Sequence, residues 1–370
     1  MAGPSSSTFN ISSLDVSAYR VPTAGPESDG TLEWDSTTMV LVSIKAGGKE
    51  GIGFTYADVS AAHFIISSLR DLVVGQHPMH IEKIFGKMHR QLRNNGNCGI
   101  AMMALSAIDI ALWDLKSKIV DLPLVRLLGR HSEKISIYGS GGFISYTDRQ
   151  LADQMSGWAG QGIRQMKMKI GTGDEKTHHR IRVAREAIGP ENALFVDANG
   201  AYSVREALRM AEGFEKYHIT WYEEPVSSDD LEGLAFIRSH TTGKLNIAAG
   251  EYGFNLPYFR VMLERHAVDV LQADATRCGG ITGFLKAGRL AEAFQIPFSF
   301  HCAPSVHLHA ALSLSGFFTG EYFYDHTRIE KLFFEGFREP GEGFLSPDPG
   351  RPGLGLELKK RVAEKYRIFP

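Results

Sequence analysis

The chain has 370 residues, 43% hydrophobic and 22% charged, with a net charge of −2, which is ordinary globular composition with room for one large barrel and a smaller unit. Near-neutral charge gives no broad electrostatic case for nucleic acid or an anionic membrane as partner, and no window approaches the ~18 consecutive apolar residues of a membrane span. Cys98, Cys278 and Cys302 are scattered without a CxxC pair, which points to free thiols in a cytoplasmic protein rather than a disulfide frame.

The first residues, MAGPSSSTF, lack the basic and apolar regions of a signal peptide and read as a frayed tail. Strands are predicted over 11–19, 38–44 and 51–55. The connector over 21–34 is rich in Pro, Gly and acids and is expected to be a long mobile loop. From about residue 57 to 118 the pattern turns helical; a helix opens at 97–100, and Ala104, Ile108, Ala111, Leu112 and Leu115 recur at its spacing. Strands and helices in separate blocks predict a small α+β unit over residues 1–130. Beyond it the two patterns alternate. Strands are predicted over 136–138, 165–170, 194–196, 220–222, 246–248, 270–272, 297–300 and 318–320. Helices are predicted over 174–188, 204–216, 229–239, 257–265, 281–294 and 306–314. Eight such units fit a (β/α)8 TIM-type barrel over 131–330. A doubly wound open sheet usually carries a Gly-rich phosphate fingerprint near its first strand, and none is present. Residues 331–370 are rich in Pro and Gly, do not continue the alternation, and are expected to return to the N-terminal unit.

The barrel strand QMKMKI carries Lys167 and Lys169, two apart and therefore on one face. In a core, two adjacent ammonium groups disfavour each other's charge, so at least one pKa is expected to fall toward neutrality, which makes a lysine a usable base. The alternative is a solvated edge strand. The next strands end in Asp197 (with Asn199 beyond it), Glu223, Glu251, Asp274, His301 and Glu321, at intervals of 20 to 28 residues. One ionisable group thus arrives per βα unit, at the end where barrels place their chemistry. Asp197, Glu223 and Glu251 come from adjacent strands, and three hard oxygen donors suit Mg2+; alternatively they pair with the two lysines. Lys169 and His301 sit on strands two and seven, so they can face one substrate carbon from opposite sides. Asp274 can orient the His301 ring. Glu321, if its pKa is raised, can donate a hydrogen bond to an anionic substrate oxygen, and Asn199 can contact the same carboxylate. His307 and His309, two apart on a predicted helix, do not share a face and read as structural.

Together these residues resemble the enolase superfamily, specifically its mandelate racemase subgroup. The matching runs are MKMKIG, VDANG, WYEEP, AGE, ADATRCGG, FSFHCAP and TGEY, with ALSAIDIALWDLKSK similar to the long helix of the family's capping domain. The resemblance spans nearly the whole chain. It implies an α+β cap over a modified barrel, completed by the C-terminal tail, and a homo-oligomer between dimer and octamer. It also implies Mg2+ and abstraction of the proton α to a carboxylate, giving a metal-stabilised enediolate; this superfamily is a standard case of a Lys or His base working with Mg2+. Such a proton is too weakly acidic for a side-chain base unless developing charge is stabilised.

The resemblance leaves several reactions open. Racemases, epimerases, acid-sugar dehydratases and cycloisomerases share these parts, and dehydration of an acid sugar is the first reading. The segment after Glu321 (Tyr322, Tyr324, Asp325, His326, Arg328) departs from mandelate racemase and is more polar. That favours a hydroxylated substrate, unless these residues pack outside the site. The cap loops over 21–37 and 53–59, with Trp34 and Tyr56, are expected to contact the substrate. A non-catalytic binding protein on the same fold is the alternative of another class; intact Lys169, Asp197, Glu223, Glu251 and His301 argue against it.

Overall fold

The computed structural model of the chain describes residues 9–370, so the Ser-rich start lies outside the described residues. Strands β1 (Ser13–Ser28) and β2 (Glu33–Ala46) pair antiparallel from Ser13↔Lys45 to Ser28↔Glu33, and β3 (Lys49–Tyr56) adds to β2. The loop expected over 21–34 is therefore mostly a hairpin, and the expected loop over 53–59 is strand as far as Tyr56. The Pro/Gly signal marks only an irregularity between Pro22 and Glu27, as Pro and Gly do at bulges. Long-range pairing overrides it because Val21 and Glu27 are buried and Trp34 Nε1 donates across the hairpin to Glu27 Oε2 at 3.0 Å. The turn itself is closed by Asp29 Oδ1, which accepts the N–H groups of Thr31 and Leu32 at 2.7 and 2.8 Å.

The helix Gly99–Ile119 lies on this sheet. Gly51 and Gly53 make the approach possible, since a Cβ on Gly53 would stand 2.3 Å from the Ala107 carbonyl oxygen. Buried Asp114 of this helix accepts N–H groups from Ile52 and from Leu354, at 2.8 and 2.7 Å. It thereby ties strand, helix and C-terminal segment together.

The barrel strands are β4 (Ile135–Gly141), β5 (Gln165–Lys169), β6 (Ala193–Asp197), β7 (Ile219–Glu223), β8 (Asn246–Ala249), β9 (Val270–Ala273), β10 (Phe298–Phe300) and β11 (Phe317–Phe323). All neighbours are parallel, and β11 pairs with β4 to close the barrel. Along each strand alternate residues face in and out. Met166, Met168, Leu194, Val196 and Tyr222 join the apolar layer under the helices. Tyr138, Phe195, Trp221, Ala248 and Val270 form a separate interior plug, with Phe195 and Trp221 stacked at 5.0 Å.

Past the barrel, helix Tyr324–Phe333 leads into β12 (Phe334–Glu335) and β13 (Phe344–Leu345), which pairs antiparallel with β4. β14 (Glu357–Leu358) pairs with β12, and β15 (Arg367–Phe369) pairs with β1. Among the described residues, no helix is long and apolar enough to cross a membrane.

Candidate active site

The same alternation that buries Phe195 and Trp221 in the plug points Asp197 and Glu223, two residues on, toward the mouth. The register Lys169↔Asp197 and Asp197↔Glu223 sets three functional groups in one tier. Lys169 Nζ lies 2.6 Å from Asp197 Oδ2. Lys167, fully buried, lies 3.3 Å from Asp197 and 2.8 Å from Glu321 and is hydrogen-bonded to Glu223 Oε1. Glu223 Oε2 accepts from Trp221 Nε1 at 2.8 Å and Gln272 Nε2 at 3.0 Å. Asp197, Glu223 and Glu251 each offer a carboxylate oxygen, all within 4.8 Å of one another. The three carboxylates converge as oxygen donors, and Asp197 and Glu223 are also lysine partners, whereas Glu251 lies 3.7 Å from Arg277 and pairs with neither lysine.

Its charges are strongly shifted. Burial works against the Lys167 ammonium, but Glu223, Glu321 and Asp197 outweigh it and hold its pKa well above the usual lysine value. Lys169 is likewise raised, burial being overcome mainly by Asp197. The expected fall of a lysine pKa toward neutrality is therefore not found: the sequence shows the neighbouring ammonium, whereas folding also brings acidic partners to each lysine. The Asp197 carboxyl lies below its ordinary range because Lys169 and Lys167 overcome burial. For Glu223 burial prevails, helped by Asp197 and Glu321. The raised pKa considered for Glu321 is also corrected. Burial is outweighed by Lys167, His301 and Lys169, so this carboxyl lies well below its usual value. It accepts hydrogen bonds from Ser140 Oγ at 2.6 Å and Cys302 N at 2.8 Å and is no donor in this arrangement.

At the end of β10, His301 Nδ1 lies 2.8 Å from Asp274 Oδ2. Its Nε2 is 3.6 Å from Glu251 Oε2 and 3.8 Å from Glu321 Oε2. Lys169 and His301 both line a cavity of ≈360 Å3 between barrel mouth and cap, together with Asn199, Glu251 and Glu321. Trp34 and Tyr56 line it too. The Trp34 indole N–H is engaged by Glu27, and Tyr56 directs its hydroxyl at Glu330 Oε1 (3.3 Å) and stacks on His326 at 3.5 Å. Asn199 gives its N–H to Asp197 Oδ1 at 2.9 Å, and its own buried Oδ1 has no partner. Of the polar segment after Glu321, His326 reaches the cavity, whereas Asp325 bonds Thr37 behind the wall. His307 and His309 are buried and bonded to backbone groups, at Ala275 N (2.7 Å) and Val125 N (3.2 Å) respectively.

Sequence reasoning did not single out Arg277, Asp29 or Glu224. Arg277, within the ADATRCGG run, donates to the Glu251 carbonyl at 3.2 Å and lies 3.6 Å from Asp274. Buried Glu224 has an unpartnered Oε1; the doubled acid of WYEEP was its only signal. Asn199, Glu224, Cys302 and Ala303 all adopt positive φ, between 37° and 52°. Four residues of unusual backbone thus stand at the barrel mouth, a conformation also found at many functional sites.

The donor set fits Mg2+: three buried carboxylates, all oxygen, with Glu251 Oε2 lacking any hydrogen-bond partner. Residues 16–129 match the family described as mandelate racemase / muconate lactonizing enzyme, N-terminal domain, and residues 150–362 match the one described as enolase C-terminal domain-like. The chain belongs to the mandelate racemase subgroup of the enolase superfamily. It is similar to L-talarate/galactarate dehydratase of Salmonella typhimurium, with 32% identity over 363 residues, 94% of this chain and 89% of that protein. A mandelate racemase/muconate lactonizing enzyme-like structure from Rubrobacter xylanophilus is 49% identical with a TM-score of 0.95, covering 97% of this chain and 100% of the other. A racemase from Streptomyces coelicolor, solved with bound magnesium, is 28% identical with a TM-score of 0.92, again covering 97% and 100%. Membership makes the chain a lyase or isomerase that uses Mg2+ and abstracts the proton α to a carboxylate.

Proposed function

We propose that the chain is a Mg2+-dependent acid-sugar dehydratase. The observation that carries this reading is the shared cavity onto which Lys169 and the Asp274-supported His301 both open. In this reading Asp197, Glu223 and Glu251 hold the cation. Mg2+, when bound, offsets those carboxylates and stabilises the negative charge that develops on the substrate carboxylate as its α-proton leaves. Lys169 takes that proton; the adjacent Lys167 ammonium opposes Lys169's charged form, which eases its return to the free amine. Asp274 fixes the ring of His301 through its contact with Nδ1. His301 then delivers a proton to the departing β-hydroxyl, water leaves, and the resulting enol becomes a 2-keto-3-deoxy acid. Glu321 and Lys167 hold each other in place beneath these groups. Asn199, Trp34 and Tyr56 line the substrate's path.

A racemase or epimerase is the second reading, favoured by the same geometry: His301 would return the proton to the α-carbon from the face opposite Lys169. We place the enzyme in the cytoplasm as a homo-oligomer, with three unpaired cysteines supporting the first assignment; light scattering on the purified protein measures the second. The deciding experiment incubates the Mg2+-loaded protein with a panel of sugar acids in D2O. Keto-acid formation supports dehydration. Deuterium at the α-carbon with inversion and no keto acid replaces it with racemisation. No exchange with any member of the panel removes sugar acids as the substrate class of this enzyme.

A further inference from the structure

The cavity has two chemically different walls. The barrel wall holds every basic side chain among the described lining residues: Lys169, Arg277, His301 and His326. Each is already committed. Lys169 faces Asp197 at 2.6 Å, Arg277 lies 3.7 Å from Glu251 and 3.6 Å from Asp274, and His301 faces Asp274. Burial pushes His326 down to about 3, so it stays neutral against Tyr56. The cap wall contributes Asp29, Asp58, Ser36, Thr37, Thr38 and Trp34 to the lining and, among the described residues, no Lys, Arg or His. Asp58 accepts the Ser60 N–H at 2.8 Å, and that bond lowers its pKa. Asp29 is fixed by the turn that closes the hairpin. Behind this wall, Arg328 is paired with Asp325 at 2.6 Å and donates to the Pro22 carbonyl at 2.7 Å, so its charge is spent before it reaches the cavity.

This arrangement deepens the dehydratase reading and rests on it, because that reading sets the substrate's reacting carboxylate at the barrel wall. The rest of the substrate then meets the cap wall. A second carboxylate there would face two like charges, and the cap cation nearest them in effect, Arg20, does not line the cavity and already acts on Asp58. A neutral hydroxylated tail would instead donate to the two carboxylates and exchange hydrogen bonds with the hydroxyl side chains. From this juxtaposition we infer that the substrate is a monocarboxylic sugar acid, an aldonate rather than an aldarate, with Asp29 and Asp58 as the residues that reject the diacid. A carboxylate several ångströms from one like charge in a partly screened site loses on the order of tenfold in affinity.

The test is calorimetric binding to the Mg2+-loaded Lys169→Met variant, which lacks the proposed base. The ligands are matched pairs of equal hydroxyl configuration: gluconate with glucarate, galactonate with galactarate, arabinonate with arabinarate. The monoacid of at least one pair is expected to bind about tenfold or more tighter than its diacid. Adding Asp29→Asn and Asp58→Asn, which keep the local hydrogen bonds and remove the charges, should shrink that ratio severalfold. A diacid that binds as tightly as its monoacid, a ratio unmoved by the two substitutions, or failure of every monoacid to bind overturns the inference. Keto-acid formation by the unsubstituted enzyme separates the two claims. A diacid dehydrated best sinks the inference and keeps the dehydratase. A monoacid bound tightly, selected through Asp29 and Asp58 yet never dehydrated, keeps the inference and sinks the dehydratase.

Discussion

Replacing Lys167 by Met should reverse the pH dependence of part of this protein's stability. Lys167 is fully buried and touches three carboxylates, Glu223 by a direct hydrogen bond, Glu321 at 2.8 Å and Asp197 at 3.3 Å. Met fills similar volume but leaves those acids with Lys169 as the remaining nearby ammonium. Removing one partner of a buried ionic cluster costs about 3–5 kcal/mol. In the unsubstituted protein Glu321 lies below its ordinary pKa. Its contribution is therefore present above the unfolded-state pKa and lost as pH falls through the folded one. In the variant the orphaned carboxyls lie above their ordinary range, so their effect has the opposite sign: stability is least impaired near the unfolded-state pKa, about 4.3, and declines as pH rises. Urea unfolding in EDTA should thus show a gap of about 3–5 kcal/mol near pH 8 that narrows toward pH 5. Mg2+ should close part of the gap, because a cation among Asp197, Glu223 and Glu251 supplies charge the variant lacks; saturation at a hundredfold over Kd stabilises a binding-competent fold by about 2.7 kcal/mol. A variant that unfolds within 1 kcal/mol of its parent near pH 8 in EDTA, a tolerance well below the ~3 kcal/mol lower bound, would refute the claim that Lys167 balances this cluster.

Three further outcomes are expected. Calorimetry on Glu223→Gln should show Mg2+ affinity reduced at least about tenfold, and unchanged affinity would remove Glu223 from the ligand set. His301→Asn should lower turnover by about 10²–10⁴-fold while Lys169 still exchanges the α-proton of a substrate of matching configuration in D2O. Lys169→Met should abolish that exchange and retain Mg2+, and full turnover in His301→Asn would end the two-sided scheme. Thiol titration should find Cys98 reactive in the native protein and buried Cys278 and Cys302 reactive only after unfolding; fewer than three thiols in unreduced, unfolded protein would contradict the assignment of free cysteines.

The barrel and its tier of acids were legible because both depend on short-range regularities. Strand alternation sends Lys167 and Lys169 to one face, and one βα unit per strand brings Asp197, Glu223, Glu251, Asp274, His301 and Glu321 to one end. What failed depends on contacts distant in sequence. Pro22 and Gly25 read locally as loop, yet β2 holds the segment as strand through Val21↔Thr37 and Glu27↔Trp34. The Glu321 shift was misjudged because its main counter-charge, Lys167, lies 154 residues before it in the chain, and the lysine shifts because Glu223 and Asp197 face them only once the barrel strands are set side by side. Arg277 lay inside a run already noted, but its role as a link between Glu251 and Asp274 exists only where strands β8 and β9 adjoin.

The pairing of β15 with β1 also fixes an order of assembly. Residues 13–28 are made early, but their partner Arg367–Phe369 is made roughly 340 residues later. At about 5–20 residues per second of synthesis, the outer side of β1 stays open for tens of seconds after its hairpin can form. An uncovered strand edge is a template for pairing with other chains. The nascent enzyme is thus most exposed to misassociation at the roof of its own catalytic chamber, and deletion of Arg367–Phe369 should raise aggregation during expression before it measurably alters chemistry in the molecules that fold.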